Sequence, residues 1–152
     1  MFTIAQSLSI LQEKISSFPD TLIVLGSGWN KVLKDVVIEN AIGYKELFGV
    51  KATVPGHEGR LVIGTLNNSR VALMSGRFHL YEGYTSQEVT QPIHLFAKAG
   101  IQNLVLTAAC GALNKRYCVG DIVILSDIIT LLLSPNNPLI GTPFIDTSCD
   151  FD

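Results

Sequence analysis

The residues best suited to chemistry lie in one short run, Gly-Arg-Phe-His-Leu-Tyr-Glu-Gly-Tyr, at positions 76–84. Arg77, His79 and Tyr81 occupy alternate positions, so in an extended segment their side chains point to the same side. An arginine fork and an imidazole on one face can clamp an oxyanion through charge-assisted hydrogen bonds. A tyrosine hydroxyl beside them could hold a sugar hydroxyl. The alternative is an exposed edge segment with incidental polar side chains.

A second segment, Gly26-Ser27-Gly28, directly follows an apolar run at residues 22–25. Glycines let the backbone turn sharply and approach a ligand, and Ser27 adds a hydroxyl. A helix beginning here would aim its first N–H groups at an anion. The alternative is a tight turn without a ligand. The glycine fingerprint of a dinucleotide-binding fold is absent, because Lys31 stands where its third glycine would be.

Two weaker signals are a histidine and a run of small residues. His57 ends the run Val-Pro-Gly-His, which taken alone is typical of a surface turn. Residues 107–114 are mostly small, so a backbone N–H there could reach a bound anion. Ordinary turn chemistry explains the second run equally well.

Apolar periodicity predicts the elements that would position these segments. A helix containing Ile4, Leu8 and Leu11 is expected to end at Phe18-Pro19. Two of the predicted strands form a hairpin around Asn67-Asn68-Ser69. The predicted strands are residues 22–25, 61–66, 71–74, 104–106 and 122–125.

Two more helices are predicted, one of them with a clear start. Thr85 and Glu88 fit a capping box, and the helix that follows is expected to end at Gly100. Its predicted buried residues are Val89, Ile93, Phe96 and Ala97. The other helix begins within residues 28–33, whereas residues 44–55 are predicted to form a connection.

Strands and helices alternate and several strands are apolar throughout, which indicates an α/β fold with a mixed, largely buried sheet flanked by helices, in a single domain over residues 1–152. Hydrophobic residues make up 47% and charged residues only 16%. An average soluble domain has about 25% charged residues. This low charge content fits strands buried on both faces, a subunit interface or a missing partner segment.

Charge and hydropathy exclude several classes of function. The net charge of −2 without a basic stripe argues against a nucleic-acid partner. No run of about 20 apolar residues could span a membrane, and the start lacks the pattern of a signal peptide. The three cysteines have no Cys-x-x-Cys spacing, so we expect free thiols and a cytoplasmic protein.

Taken in order, these stretches resemble the trimeric type of purine nucleoside phosphorylase. The resemblance runs from about residue 20 to about residue 141. The run at residues 76–84 is its most specific part. The other matching stretches are residues 25–28, 54–61, 108–114, 119–122 and 137–139.

The resemblance implies a homotrimer that splits purine ribonucleosides and deoxyribonucleosides with phosphate, releasing the purine and (deoxy)ribose 1-phosphate. No metal or organic cofactor is implied. Arg77 and His79 would be catalytic, and Tyr81 would contact the ribose. The implied phosphate-binding residues are Ser27, His57, Arg77, His79 and Ala109, the last through its backbone N–H and His57 at the phosphate entrance.

The chain departs from the family pattern in sequence and in length. The family usually has Asn-Ala-Ala-Gly-Gly where this chain has Ala-Ala-Cys-Gly-Ala at residues 108–112. The chain also matches only the first half of the family, and the purine-recognising glutamate and asparagine lie in the other half. Alternatives are therefore an inactive truncated module that binds phosphate or a partner chain, half of a split enzyme, and a methylthioadenosine phosphorylase.

Overall fold

The structure is a computed structural model that describes residues 1–50 and 59–128. The chain divides into two compact units, Met1–Ala109 and Cys110–Asp152. The single domain over residues 1–152 stays a prediction.

The first unit contains the helices and strands found in the described part of the chain. In chain order they are α1 Ile4–Lys14, β1 Thr21–Leu25, a 3₁₀ segment Trp29–Asp35, β2 Val37–Gly43, α2 Tyr44–Phe48, β3 Arg60–Leu66, β4 Ser69–Ser75, a 3₁₀ turn Leu80–Glu82, α3 Ser86–Lys98 and β5 Asn103–Leu106.

The strands form one mixed sheet in the order β2-β3-β4-β1-β5. Strands β2, β3 and β4 pair antiparallel, whereas β1 is parallel to both of its neighbours, β4 and β5. The predicted α/β fold with a mixed sheet is therefore confirmed. Because β4, β1 and β5 run in one direction, their carboxyl ends lie at the same edge of the sheet.

Successive side chains of the central strands point to opposite faces of the sheet, so the core consists of two clusters, one on each face. Leu22 and Val24 of β1 pack in a cluster with residues of α1, α2 and α3, whereas Leu25 packs in a second cluster on the other face. Val32 and Leu33 of the 3₁₀ segment pack against that second cluster. A strand with both faces covered reads as a continuous apolar run, which explains the sequence of β1.

The predicted hairpin is confirmed. Asn67 and Asn68 have φ values of 48° and 65° and form the turn between β3 and β4. A two-residue hairpin turn of this kind needs positive φ at both positions, and asparagine tolerates it better than most residues. The pairing on either side aligns Arg60 with Ser75 at the far end of the two strands.

The predicted start of α3 is also confirmed, because Thr85 and Glu88 form both halves of a capping box. The Glu88 carboxylate accepts hydrogen bonds from the backbone N–H and the hydroxyl of Thr85, each at 2.9 Å. These hydrogen bonds, the one from the backbone first, lower the pKa of Glu88. The resulting stabilisation is complete above the pKa of the unfolded carboxyl group and is lost as the pH falls through the lower, folded pKa.

Replacing Thr85 with alanine is expected to lower the free energy of unfolding by about 1 kcal/mol. The Thr85 hydroxyl accepts from the N–H of Glu88 at 3.3 Å, and alanine removes that acceptor. Urea unfolding measures the change. Thr90→Ala is the matched control, because Thr90 lies inside α3, where alanine is the better helix former. An equal loss of stability in both variants would contradict the role of the cap.

The buried face of α3 differs from the prediction at one position. Phe96 is buried, and Val89 and Ile93 pack partly buried against the core, but Ala97 is exposed. Pro92 is buried in its place. The buried stripe of α3 therefore includes Pro92.

Two predicted helices differ from the structure of this unit, and two further elements were not predicted. The first helix ends at Lys14 instead of at Phe18-Pro19, and the second predicted helix is a 3₁₀ segment. Strand β2 was not predicted, because its apolar residues do not alternate regularly and a register shift interrupts its pairing. Helix α2 lies in the predicted connection, and it is too short to show helical periodicity.

The second unit is described over residues 110–128, which contain neither helix nor strand. The predicted strand at residues 122–125 is therefore wrong, and Ile124 is 93% exposed. An apolar run predicts a strand only where a neighbouring strand supplies hydrogen bonds, and sequence alone does not show that neighbour. Cys110 and Cys118 are free thiols in this unit, and Cys149 lies outside the described residues.

Candidate functional site

Three of the four predicted segments emerge at one edge of the sheet. In the register of the parallel strands, Leu25 pairs with Ser75 and Val24 pairs with Leu106. The segments that follow these strand ends carry Ser27, Arg77 and Ala109. Ligands of α/β folds collect outside the carboxyl ends of parallel strands, so this edge is the candidate site.

The fourth segment, which carries His57, lies outside the described residues. Gly59, which follows it, donates a backbone hydrogen bond to the carbonyl of Ser75 at 3.0 Å. Strand β3 begins one residue later and is antiparallel to β4, so it starts at the edge where β4 ends. The chain therefore enters the described structure again at the candidate site.

Glycine is required in the loop after β1 for two different reasons. A Cβ atom at Gly26 would lie 2.3 Å from the carbonyl oxygen of Thr107, so the backbones approach too closely for a side chain. Gly28 has a φ of 87° and open space around it, so its constraint is conformational. Ser27 between them is exposed, and its hydroxyl is accessible at the edge.

The residues after this loop do not form the predicted α-helix. It is a 3₁₀ segment of seven residues, and the N–H of Trp29 already donates to the carbonyl of Gly26 at 3.2 Å. The expected array of helix N-terminal donors is therefore not formed there. Of the anion-binding groups predicted for this loop, the Ser27 hydroxyl remains a candidate.

The side chains of Arg77 and His79 meet, as their spacing predicts. Arg77 Nε donates to His79 Nε2 at 3.3 Å, and Glu82 Oε2 lies 2.7 Å from His79 Nδ1. If Nε2 accepts, the imidazole proton is on Nδ1 and is donated to Glu82. The Glu82 carboxylate also accepts from the backbone N–H of His79 at 2.8 Å. These contacts fix the orientation of the ring.

Tyr81 stacks on this imidazole. The ring centroids of His79 and Tyr81 are 4.7 Å apart and the planes are 23° from parallel. Tyr81 is 75% exposed, so its hydroxyl is open to solvent while its ring covers one face of the histidine. The three side chains that alternate in the sequence thus form one contiguous surface.

Electrostatics at the edge favour an anion. Among residues 1–50 and 59–128, no carboxylate forms an ion pair with Arg77, whereas Arg70 at the other end of β4 is paired with Glu39 at 2.8 Å. A guanidinium keeps its charge at any working pH. Within the same described ranges, no group of three or more His, Cys, Asp or Glu side chains is arranged to hold a metal ion.

Sequence reasoning missed the side chains that hold these loops in place. Glu82 could have been found, because it stands three residues after His79 at the spacing of a capping box. No sequence pattern indicated a role for Asn30 or Tyr44. The Asn30 Oδ1 atom accepts from the hydroxyl of the buried Ser75 at 3.2 Å, which ties the loop after β1 to the end of β4.

The hydroxyl of the buried Tyr44 donates to the carbonyl of Gly76 at 2.6 Å, immediately before Arg77. Burial raises the pKa of Tyr44 above its usual range, so the phenol keeps the proton that it donates. The turn that carries Arg77 is therefore fixed by a hydrogen bond from the core. Such contacts are tertiary, so local sequence patterns do not reveal them.

Comparison with known proteins shows the family of this chain. The family model of the phosphorylase superfamily matches residues 12–148. The chain belongs to the phosphorylase superfamily. Purine nucleoside phosphorylase 1 of Geobacillus stearothermophilus is 36% identical over 152 residues, which cover 95% of this chain and 55% of that protein.

Solved structures of purine nucleoside phosphorylases share the fold. The enzyme of Schistosoma mansoni in complex with acetate superposes with a TM-score of 0.81 at 36% identity, over 92% of this chain and 52% of that one. A purine nucleoside phosphorylase in complex with ribose-1-phosphate gives a TM-score of 0.70 at 33% identity, over 80% of this chain and 47% of that one. The chain thus spans about half the length of these superfamily relatives.

As for membranes, the helices of the described residues are all too short or too polar to cross one.

Proposed function

We propose that this chain provides the phosphate- and ribose-binding part of a purine nucleoside phosphorylase. The observation that carries the proposal is the Arg77–His79–Glu82 arrangement at the edge where three parallel strands end. Similarity to purine nucleoside phosphorylases, one of them in complex with ribose-1-phosphate, supports the choice of substrate class. The phosphate site would comprise Ser27, His57, Arg77, His79 and the backbone N–H of Ala109.

In the proposed reaction, a phosphate oxygen attacks C1′ of the nucleoside while the bond from C1′ to the purine nitrogen breaks. The electrons of that bond leave with the purine, which takes up the proton that the attacking phosphate loses, so the products are the free base and ribose 1-phosphate or its deoxy form. Positive charge develops on the sugar in the transition state. A phosphate held beneath the sugar by Arg77 and Ser27 both stabilises this charge and is placed to attack.

His79 would line the phosphate site beside Arg77, with Glu82 holding the ring at Nδ1. Tyr81 would contact the ribose with its exposed hydroxyl. We further propose that inorganic phosphate is the co-substrate, that no metal or organic cofactor takes part, and that the protein acts as a cytoplasmic homotrimer. The contacts to the purine are expected from residues outside the 152 of this chain.

Phosphate titration followed by an inosine assay tests this proposal. The 152-residue chain is expected to bind phosphate in calorimetry, with chloride at equal ionic strength as the control anion, and to release no hypoxanthine from inosine. A chain that folds but does not bind phosphate would contradict the proposed site. Phosphate-dependent release of hypoxanthine would show that these residues also complete the purine site, against our assignment of the purine contacts.

A further inference from the structure

We propose that Thr107 is a positioning residue whose side-chain hydroxyl joins two phosphate-binding segments before phosphate arrives. The segments are Gly26-Ser27-Gly28, after β1, and Ala108-Ala109, after β5. The inference rests on the proposed function for the identity of the ligand. Its structural part, the junction between the two segments, rests on the contacts of Thr107 alone.

Thr107 makes three hydrogen bonds to the end of β1. Its hydroxyl donates to the carbonyl of Val24 at 2.9 Å and accepts from the N–H of Gly26 at 2.8 Å. Its backbone N–H donates to the same carbonyl of Val24 at 3.1 Å. One side chain therefore satisfies a donor and an acceptor on either side of Leu25.

These contacts lie where the two parallel strands stop pairing. The last aligned pair of β1 and β5 is Val24 with Leu106, one residue before Thr107. Beyond this pair, a side-chain hydroxyl and not a backbone carbonyl accepts the hydrogen bond from Gly26. The hydroxyl thus ends the pairing of β1 with β5 and leaves the backbone groups at this point with hydrogen-bond partners. Beyond it, the two loops can separate and leave room for a ligand.

Only a hydroxyl side chain can perform this double role at this size. The Gly26 N–H needs an acceptor, and the Val24 carbonyl takes the hydroxyl proton as a second hydrogen bond, so serine and threonine can accept and donate here from one atom. The absence of a side chain at Gly26 belongs to the same junction, because a Cβ there would lie 3.0 Å from the Cα of Ala108. The two loop backbones are therefore packed directly on each other.

The functional consequence is preorganisation. Donors that bind phosphate lose affinity when they must be ordered at the moment of binding. Thr107 touches no group that the proposed reaction uses, so it acts only by fixing the spacing between Ser27 and the N–H of Ala109. Removing its hydroxyl should weaken phosphate binding while leaving Arg77 and His79 in place.

Thr107→Val keeps the shape of the side chain but leaves the N–H of Gly26 without its acceptor. We expect the dissociation constant for inorganic phosphate to rise about tenfold, because the two loops must then be ordered when phosphate binds. Thr107→Ser keeps the hydroxyl and is expected to bind phosphate as the wild type does. Thr21→Val is the matched control, because Thr21 accepts from Asn103 at 3.4 Å at the opposite end of the same two strands.

Hydrogen exchange at the Gly26 amide tests the junction independently of any ligand. In the wild-type chain without phosphate we expect slow exchange of this amide, and in Thr107→Val fast exchange with other β1 amides unchanged. If the wild type fails to bind phosphate, the proposed function fails, but slow Gly26 exchange would still support the junction. Phosphate affinity in Thr107→Val equal to that of the wild type would overturn the inference. Gly26 exchange at the rate of an exposed amide in the wild type would also overturn it, even if the valine variant does not fold.

Discussion

Replacing Arg77 with alanine is expected to weaken phosphate binding by at least about a hundredfold, to below detection in a calorimetric titration. The guanidinium contributes a permanent positive charge and a fork of donors that can bind two phosphate oxygens at once. It is held next to His79 by a hydrogen bond of 3.3 Å and forms no ion pair with any carboxylate in the described part of the chain. Its charge is therefore available to the ligand.

Arg70→Ala is the control for the loss of one positive charge. Arg70 belongs to the same strand, but its side chain is paired with Glu39 and bonded to the carbonyl of Ser17 at the other end of β4. We expect unchanged phosphate affinity in this variant. Retained binding in Arg77→Ala, or an equal loss in both variants, would refute the assignment of Arg77.

Replacing Gly26 with alanine is expected to lower the free energy of unfolding by roughly 2–3 kcal/mol and to abolish phosphate binding as well. The added Cβ would stand 2.3 Å from the carbonyl oxygen of Thr107 and 2.9 Å from its carbonyl carbon. Both are backbone atoms, so relief requires that the loop after β1 move away from the loop after β5. That movement also displaces Ser27.

The matched control for this substitution is Gly43→Ala. Gly43 precedes α2 with an ordinary φ of −69°, and no atom lies within 4 Å of the position of its Cβ. Alanine fits there, so stability and phosphate affinity should both stay close to those of the wild type. Urea unfolding and phosphate titration of the two variants side by side measure the difference. A Gly26→Ala protein as stable as Gly43→Ala would contradict the close approach of the loop after β1 to the loop after β5.

Patterns that depend on a few neighbouring residues predicted the structure well. The hairpin at Asn67-Asn68 and the capping box of Thr85 and Glu88 are local, and both are confirmed. The same holds for the meeting of Arg77 and His79, which follows from alternation along an extended segment. In these cases the sequence neighbours are also the contacts that decide the conformation.

Features that depend on distant residues were missed or wrong. Strand β2 forms because it pairs with the edge of β3, although most residues of β2 are exposed. Residues 122–125 have the composition of a strand and no regular structure. The contact of Tyr44 with Gly76 spans 32 positions, and no spacing rule relates two residues so far apart. The family motifs indicated the candidate site residues, but not the side chains that hold their loops in place.

The position of β1 in the sheet has a consequence for the order in which the protein folds. Strand β1 lies between β4 and β5, although it precedes both of them in the chain. The hairpin of β3 and β4 closes a short loop and can form early, whereas β1 needs partners that are many residues away. During synthesis, β1 must therefore wait until residue 106 has left the ribosome before both of its edges are covered. The edge that carries the candidate site is completed at that late step, so a nascent chain that stalls earlier has the hairpin without that edge.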